Sequence, residues 1–257
     1  MAESKVQALY ACQLYGSTIT AHLDRLGLIG PRFTVAHGVW LTPDDMKLLG
    51  NRGAAVAHNP GSNMRIGSGL ADVRALLRHN VVVGIGTDGA NCADHQNMYE
   101  AMRLASLVSK VQGQDTQEWL STEEVLDLAT RGSAKVLGWD NQIGQVAPGY
   151  SADLVFLDSE HINWLPLNDA VNQLVHSEDA TAVHSVMVAG KMIVEDHRLL
   201  TLDIAKLAKE AERARARLES INTDNRQLFD NLATVVNRFC HGLAQKHYPV
   251  NRFGACY

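Results

Sequence analysis

Between residues 33 and 110 the chain repeats one pattern: a short apolar run, a polar turn, then a stretch with apolar positions at helical spacing. The runs are FTVA at 33–36, AAVA at 54–57 and VVVGIG at 81–86. Apolar, β-branched runs of this length, bounded by glycine or polar residues, predict buried strands. The stretches between them predict helices. Thr42-Pro43-Asp44-Asp45 supplies an N-cap, a proline at the first helical position and acidic residues in the first turn, so a helix should run from there to about Gly50. Residues 70–79 and 97–110 read as the next two helices, and GSNMRIGSG at 61–69 reads as a polar loop. Strands alternating with helices predict βαβ connections and a parallel sheet. Ahead of them, residues 4–27 carry Val6, Leu9, Tyr10 and Leu14 at helical spacing.

The character changes after residue 120. Ser121 to Glu124 has the form of a capping box, opening a helix to about Leu137. IGQVAPGYSADLVFLD and HSVMVAGKMIVEDHRLL alternate apolar and polar positions and predict antiparallel strands, with a hairpin turn at Gly190-Lys191. From Thr201 the chain turns helical again, first charge-laced, then amphipathic. The expected division is 1–140, a partial α/β barrel of late strands; 141–200, part of a β-sandwich; and 201–257, C-terminal helices packing on the barrel.

Composition removes several function classes. A net charge of -5 provides no basic footprint for nucleic acid or an anionic membrane surface. No apolar run approaches a membrane span, and MAESKVQALY lacks the basic region and apolar core of a signal peptide. Cys12, Cys92, Cys240 and Cys256 are scattered without a CxxC pair, so a reducing cytoplasm is the expected compartment. Trp40, Trp119, Trp139 and Trp164 read as core or domain-seam residues.

Candidate chemistry lies where the three strands end. His37, His58 and Asp88 each follow a strand's C-terminal end, the edge at which ligand sites form in parallel α/β folds. Asp88 taken alone has two readings, a helix N-cap and a functional carboxylate. Three polar residues in register favour a site over buried, satisfied histidines and a capping aspartate. Asn91 and His95 are secondary pocket candidates; Cys92 reads rather as a small buried hydrophobe, and Arg65 reads equally as a substrate contact or an exposed loop residue.

GTDGAN, AHNPGSN, HLDRLGLIGP with its following strand and His37, and IGQVAPGYSADLVFLD resemble, in order and spacing, the amidohydrolase superfamily. The similarity is to its cytosine/guanine deaminase-like branch, which includes S-adenosylhomocysteine, guanine and 8-oxoguanine deaminases and the triazine hydrolases. The resemblance implies an α/β fold: the C-terminal part, about three βα units, of a metal-dependent hydrolase TIM barrel, with part of a small β-sandwich and C-terminal helices. It implies one divalent metal in the full-length parent, zinc ahead of iron, with Asp88 as a ligand and proton acceptor. His37 would contact the attacking water, and Glu3 would be the proton-shuttling glutamate. His58, Ser62, Asn63 and Asn91 would line the substrate pocket.

The family's HxH pair is absent, and the histidine of its HxxE motif would fall just before Met1. The remaining ligands are therefore expected upstream of Met1, and the chain by itself is expected to be metal-free, inactive and either poorly soluble or associated. The implied activity is hydrolytic deamination of a purine, pterin or triazine-like heterocycle, in a cytoplasmic homo-oligomer without nucleic-acid or membrane partners. Two alternatives stand beside it: a non-catalytic remnant or assembly module of the same fold, and a triazine-type chlorohydrolase or alkylaminohydrolase. A flavodoxin-like sheet fits poorly, because no glycine-rich phosphate fingerprint follows a first strand.

Overall fold

The structure, a computed structural model, describes residues 1–254. Cys256 lies outside the described residues. The chain divides into two compact units, one of Met1–Ser151, Asp158–Ala182 and the described residues from Tyr248, the other of Ala152–Leu157 and Val183–His247.

The first unit opens with two helices where the sequence pattern predicts one. α1 (Lys5–Tyr15) is capped by Ser4, whose side chain accepts from the Gln7 N–H, and it stops at Gly16 in the left-handed conformation. The Thr18 side chain then caps α2 (Ile19–Arg25) by accepting from the Ala21 N–H. β1 (Thr34–Ala36), α3 (Pro43–Asn51), β2 (Ala55–His58), α4 (Pro60–Arg65), α5 (Val73–Arg78) and β3 (Val82–Ile85) follow. The strands form a parallel sheet in the order β1-β2-β3, with Val35, Val56 and Val83 in register. All three valines are buried.

α3 begins with the capping box read from the sequence: Thr42 Oγ1 accepts from the Asp45 N–H, and the Asp45 carboxylate accepts from the Thr42 N–H. Asp45 is buried and also accepts from Thr18 Oγ1, joining the starts of α2 and α3. The segment expected as a loop at 61–69 instead opens with α4. Asn59 sits at its N-cap and Pro60 at its first position, where a missing N–H costs nothing.

α6 (Ala90–Ala93), α7 (Met98–Lys110), α8 (Thr122–Asp127), α9 (Ser133–Leu137) and α10 (Ala170–His176) complete the unit. α8 and α9 are one helical path, joined through a π-helical segment at Leu128–Gly132. This path lies tight against β3. A Cβ on Gly132 would come 2.4 Å from the Val83 carbonyl oxygen, and one on Gly84 would come 2.7 Å from Ser133 Cα. Ser133 Oγ donates to the Ile85 carbonyl and accepts from the Ile85 N–H, so a side chain satisfies the open edge of β3. Gly84→Val is therefore expected to destabilise the unit. Overpacking costs about 1–3 kcal/mol, against a gain in strand propensity of at most about 1 kcal/mol. The urea midpoint measures this, and an unchanged midpoint would contradict the close approach.

The end of the chain returns to the start of α3. Tyr248 Oη donates to the Trp40 carbonyl at 3.1 Å, and Arg252 pairs with Asp72 and donates to the Leu41 carbonyl. Trp40 and Trp164 are buried as expected, whereas Trp139 is 54% exposed. It follows Gly138, whose left-handed conformation ends α9.

In the second unit β4 (Leu154–Leu157), β5 (Val183–Val188), β6 (Lys191–Glu195) and β7 (Arg198–Leu199) form an antiparallel sheet in sequence order. The β5–β6 turn is centred on Ala189-Gly190, one residue earlier than expected. Both residues have positive φ, as a type I′ hairpin requires, and Lys191 is already paired with Val188. α11 (Ile204–Ile221) has no buried residue, and α12 (Thr223–Ala244) buries only Leu243. Among the described residues no helix is long and apolar enough to cross a membrane.

Candidate active site

The parallel register carries the strand ends of the first unit to one edge. The ladder continues past the strands: the His37 N–H donates to the Ala57 carbonyl and the Gly86 N–H to the His58 carbonyl, each at 2.9 Å. His37 and Asp88 both have positive φ, 71° and 60°. Non-glycine residues adopt this region at a cost and concentrate in it at functional turns. Here it turns each side chain off the strand path.

Glu3 arrives by a separate route. The amino group of Met1 donates to the Ala36 carbonyl at 3.0 Å, and the Ala2 carbonyl accepts from the Trp40 N–H at 2.8 Å. Residues 1–3 thus run beside the end of β1, and the Glu3 carboxylate stands 3.9 Å from His37 Nδ1.

His37 is the hub. Its Nδ1 lies 2.8 Å from Asn63 Oδ1 and its Nε2 lies 3.6 Å from Asp88 Oδ2. An amide oxygen only accepts, so Nδ1 carries the hydrogen in the neutral ring and Nε2 presents its lone pair to Asp88. Two acceptors face each other across that gap, an arrangement completed by a donor such as water. The Ser62 hydroxyl beside Asp88 and the Gly89 N–H that donates to it at 2.7 Å hold the Asp88 carboxyl below its ordinary pKa, against the opposing effect of partial burial, and a proton on His37 would lower it further. Asp88 is a carboxylate at neutral pH. It does not cap a helix, since Gly89 takes the N-cap position of α6 and Asn97 caps α7.

His58, the last residue of β2, is buried, and neither ring nitrogen has a hydrogen-bond partner. Burial, with His37 nearby, lowers its pKa to about 4, so it is a neutral imidazole. Ser62 and Asn63 are also buried. Glu3, His37, His58, Ser62, Asn63 and Asp88 therefore gather at one edge. Asn91 is exposed on α6, with its Oδ1 2.8 Å from where a Cβ on Gly89 would stand.

Beside this cluster lies a cavity of about 350 Å³, lined by Gly61, Met64, Thr87, His95, Glu100 and Leu104 among others. His37, His58 and Asp88 are not in its wall. His95 and Arg65, both wall residues, are engaged with Glu100 and Asp94. Met64, Thr87, Glu100 and Leu104 were not singled out from the sequence. Only Thr87, next to Asp88, carried a positional signal.

Residues 3–193 match the sequence pattern of the amidohydrolase family. The chain belongs to that family. It is 39% identical over 207 residues to a 5-methylthioadenosine/S-adenosylhomocysteine deaminase of Nitratidesulfovibrio vulgaris, covering 80% of this chain and 47% of the relative. An adenosine deaminase from Xanthomonas campestris, solved with bound zinc, superposes with a TM-score of 0.83 at 32% identity, covering 86% of this chain and 50% of that one. An atrazine chlorohydrolase from Arthrobacter aurescens, also solved with zinc, superposes at 0.76 and 28% identity, covering 81% and 46%. The α/β fold class stands, with the three βα units as part of an amidohydrolase barrel. The chain spans about half the length of the relatives it matches.

The family implies a metal, and the donors present do not fit one by themselves. Catalytic zinc sites use about three protein ligands. Among the described residues no group of three or more His, Cys, Asp or Glu is arranged to hold an ion. Asp88 and the His37 Nε2 form a pair, 3.6 Å apart.

Proposed function

We propose that this amidohydrolase contributes the later half of an active site for hydrolytic deamination of a purine-like heterocycle, with 5′-modified adenosines as the substrate class. The observation that carries the reading is the Glu3–His37–Asp88 line at the parallel sheet edge, with neutral His58 beside it. The deaminase names of the relatives support the substrate class. The chlorohydrolase superposes less closely than the adenosine deaminase, and deamination is preferred for that reason.

In this reading water adds to the ring carbon that bears the amino group. Asp88, held ionised, accepts a proton from that water. His37, oriented by Asn63, holds the adding oxygen through Nε2. Glu3 delivers a proton to the adjacent ring nitrogen, which makes the carbon more electrophilic. Asp88 returns its proton to the amine, the C–N bond breaks to release ammonia, and the proton left on the added oxygen passes to Glu3, which leaves a carbonyl on the ring and restores both carboxyl groups. Neutral His58, Ser62 and Asn63 offer polar contacts to the heterocycle. The metal expected in this family, zinc ahead of iron, would take Asp88 as one ligand, with further donors outside residues 1–254. A cytoplasmic setting and a homo-oligomeric assembly belong to the same reading.

The test is zinc content and ammonia release from 5′-modified adenosines. This chain alone is expected to hold little zinc and release no ammonia above background. Joined to the complementary half of the Nitratidesulfovibrio relative, it is expected to gain both. Stoichiometric zinc with turnover in the chain alone would sink the incomplete-donor reading. A zinc-loaded chimera without turnover would sink the deaminase reading.

A further inference from the structure

Trp40 is buried three residues after His37, and each of its hydrogen-bonding groups serves a different segment. Its backbone N–H donates to the Ala2 carbonyl at 2.8 Å and steadies the residues that carry Glu3. Its carbonyl accepts from Tyr248 Oη at 3.1 Å. Its indole Nε1–H donates to the Ser68 carbonyl at 2.7 Å. The Tyr248 and Phe253 rings meet the indole in T-shaped contacts, with centroids 6.1 and 5.2 Å away.

The Ser68 bond reaches α4, which carries Ser62 and Asn63. α4 has 6 residues and no side-chain cap at its N-terminus. A helix that short does not hold itself in place, so its ends must be held by the rest of the fold. Its C-terminal end closes at Gly67, whose φ is 68°. The Gly67 N–H donates to the Met64 carbonyl at 3.1 Å and the Ser68 N–H to the Asn63 carbonyl at 2.8 Å, the paired bonds of a Schellman motif. The Ser68 carbonyl, at the end of this closure, is the group that the Trp40 side chain holds. Both residues are buried, and an indole N–H and a carbonyl parted from each other there would each go unsatisfied.

We propose that Trp40 is a positioning residue for His37. Through Ser68 and the closure of α4 it keeps Asn63 Oδ1 on His37 Nδ1, which leaves Nε2 unprotonated and facing Asp88. What Nε2 does there, holding the adding oxygen, rests on the deaminase reading; the state of the ring does not. Two acceptors face His37 Nδ1, Asn63 Oδ1 at 2.8 Å and Glu3 Oε1 at 3.9 Å. Only the first is within hydrogen-bonding distance. Trp40 therefore anchors the nearer acceptor with its side chain and the farther one with its backbone. A neutral imidazole carries its proton on either nitrogen, and the hydrogen bond made by one decides the state of the other. With Asn63 displaced, the proton is free to move to Nε2 and point at the Asp88 carboxylate, 3.6 Å away. The ring would then have no lone pair left on that side to accept from a water.

The test reads the ring nitrogens of His37 by magnetic resonance on the full chain labelled with ¹⁵N-histidine, sedimented so that its state of association does not matter. His37→Gln identifies the signals. In the wild-type chain Nε2 is expected to be unprotonated. Trp40→Phe keeps an aromatic ring and the backbone bonds but lacks the indole N–H, and the Nε2–H form is expected to appear in it. Val125→Ala, an equally buried truncation in α8, is expected to leave the signals in place. In an Asn63→Leu background, where the last link is already cut, Trp40→Phe is expected to add nothing. Tyr248→Phe removes only the hydroxyl on the Trp40 carbonyl and is expected to move the signals the same way by less, which decides the matter if Trp40→Phe does not fold. A wild-type ring protonated on Nε2 overturns the proposal, as do signals that neither Trp40→Phe nor Tyr248→Phe moves, or that Val125→Ala moves equally. In the chimera with the Nitratidesulfovibrio half, Trp40→Phe is expected to lower kcat by roughly tenfold to a hundredfold, the cost of a small misplacement, with KM unchanged. A shifted ring with unchanged kcat overturns the role in the reaction. A chimera inactive before any substitution overturns the deaminase reading instead, and the ring signals still decide what Trp40 does to His37.

Discussion

Asp88→Asn is expected to lower turnover by roughly 10²- to 10⁴-fold, the usual worth of a positioned proton acceptor. The measurement is ammonia release by the chain joined to the complementary half of its Nitratidesulfovibrio relative. The substitution keeps the shape of the side chain and removes only its charge. Asparagine tolerates the left-handed backbone as well as aspartate does, so the φ of 60° at this position adds no new strain. An amide oxygen can still accept from the Gly89 N–H, which now donates to Asp88 Oδ1. The thermal midpoint should therefore change little while turnover collapses. Glu160→Ala, on an exposed turn outside the cluster, is the control and should leave turnover within about twofold, as surface changes away from a site do. If Asp88→Asn kept most of the activity, Asp88 would not be the proton acceptor.

His58 sets the second large effect, on stability against pH. Its folded pKa of about 4 lies below the ordinary 6.5. Below pH 6.5 the unfolded chain takes up a proton that the buried ring refuses, so the unfolded state binds more protons and stability falls with pH. The contribution is fully present above about pH 6.5 and is lost as pH falls toward 4. A gap of this size corresponds to about 3 kcal/mol. Urea denaturation across that window measures the loss. His58→Leu has no proton to take up, so its stability should fall less over the same range, by about that amount. Equal slopes for the two proteins would mean that the ring meets water in the folded state.

Much of this was legible because its causes are local. Thr42-Pro43-Asp44-Asp45 and Ser121-Thr122-Glu123-Glu124 carry their capping chemistry within four residues, and both boxes form. The three strands follow from short β-branched runs, and a parallel sheet follows from the helices between them. That sheet in turn places His37, His58 and Asp88 at one edge. The errors fell where local signals conflict or run out. The polar, glycine-bearing segment after Asn59 hid α4, and the hairpin at Ala189-Gly190 was displaced by one residue.

The sequence by itself determined the three parallel strands and their order, the edge at which chemistry gathers and the residue types available there, because backbone propensity and side-chain period act over a few neighbouring residues. Only the tertiary structure decided what those residues do to one another. Asn63 reaches His37 across 26 positions and fixes its tautomer. Glu3 reaches the same ring because residues 1–3 run beside β1. His58 loses its proton because it is buried without a partner. Desolvation and contact between distant segments have no period and no local signature, so they arise only when the chain is packed.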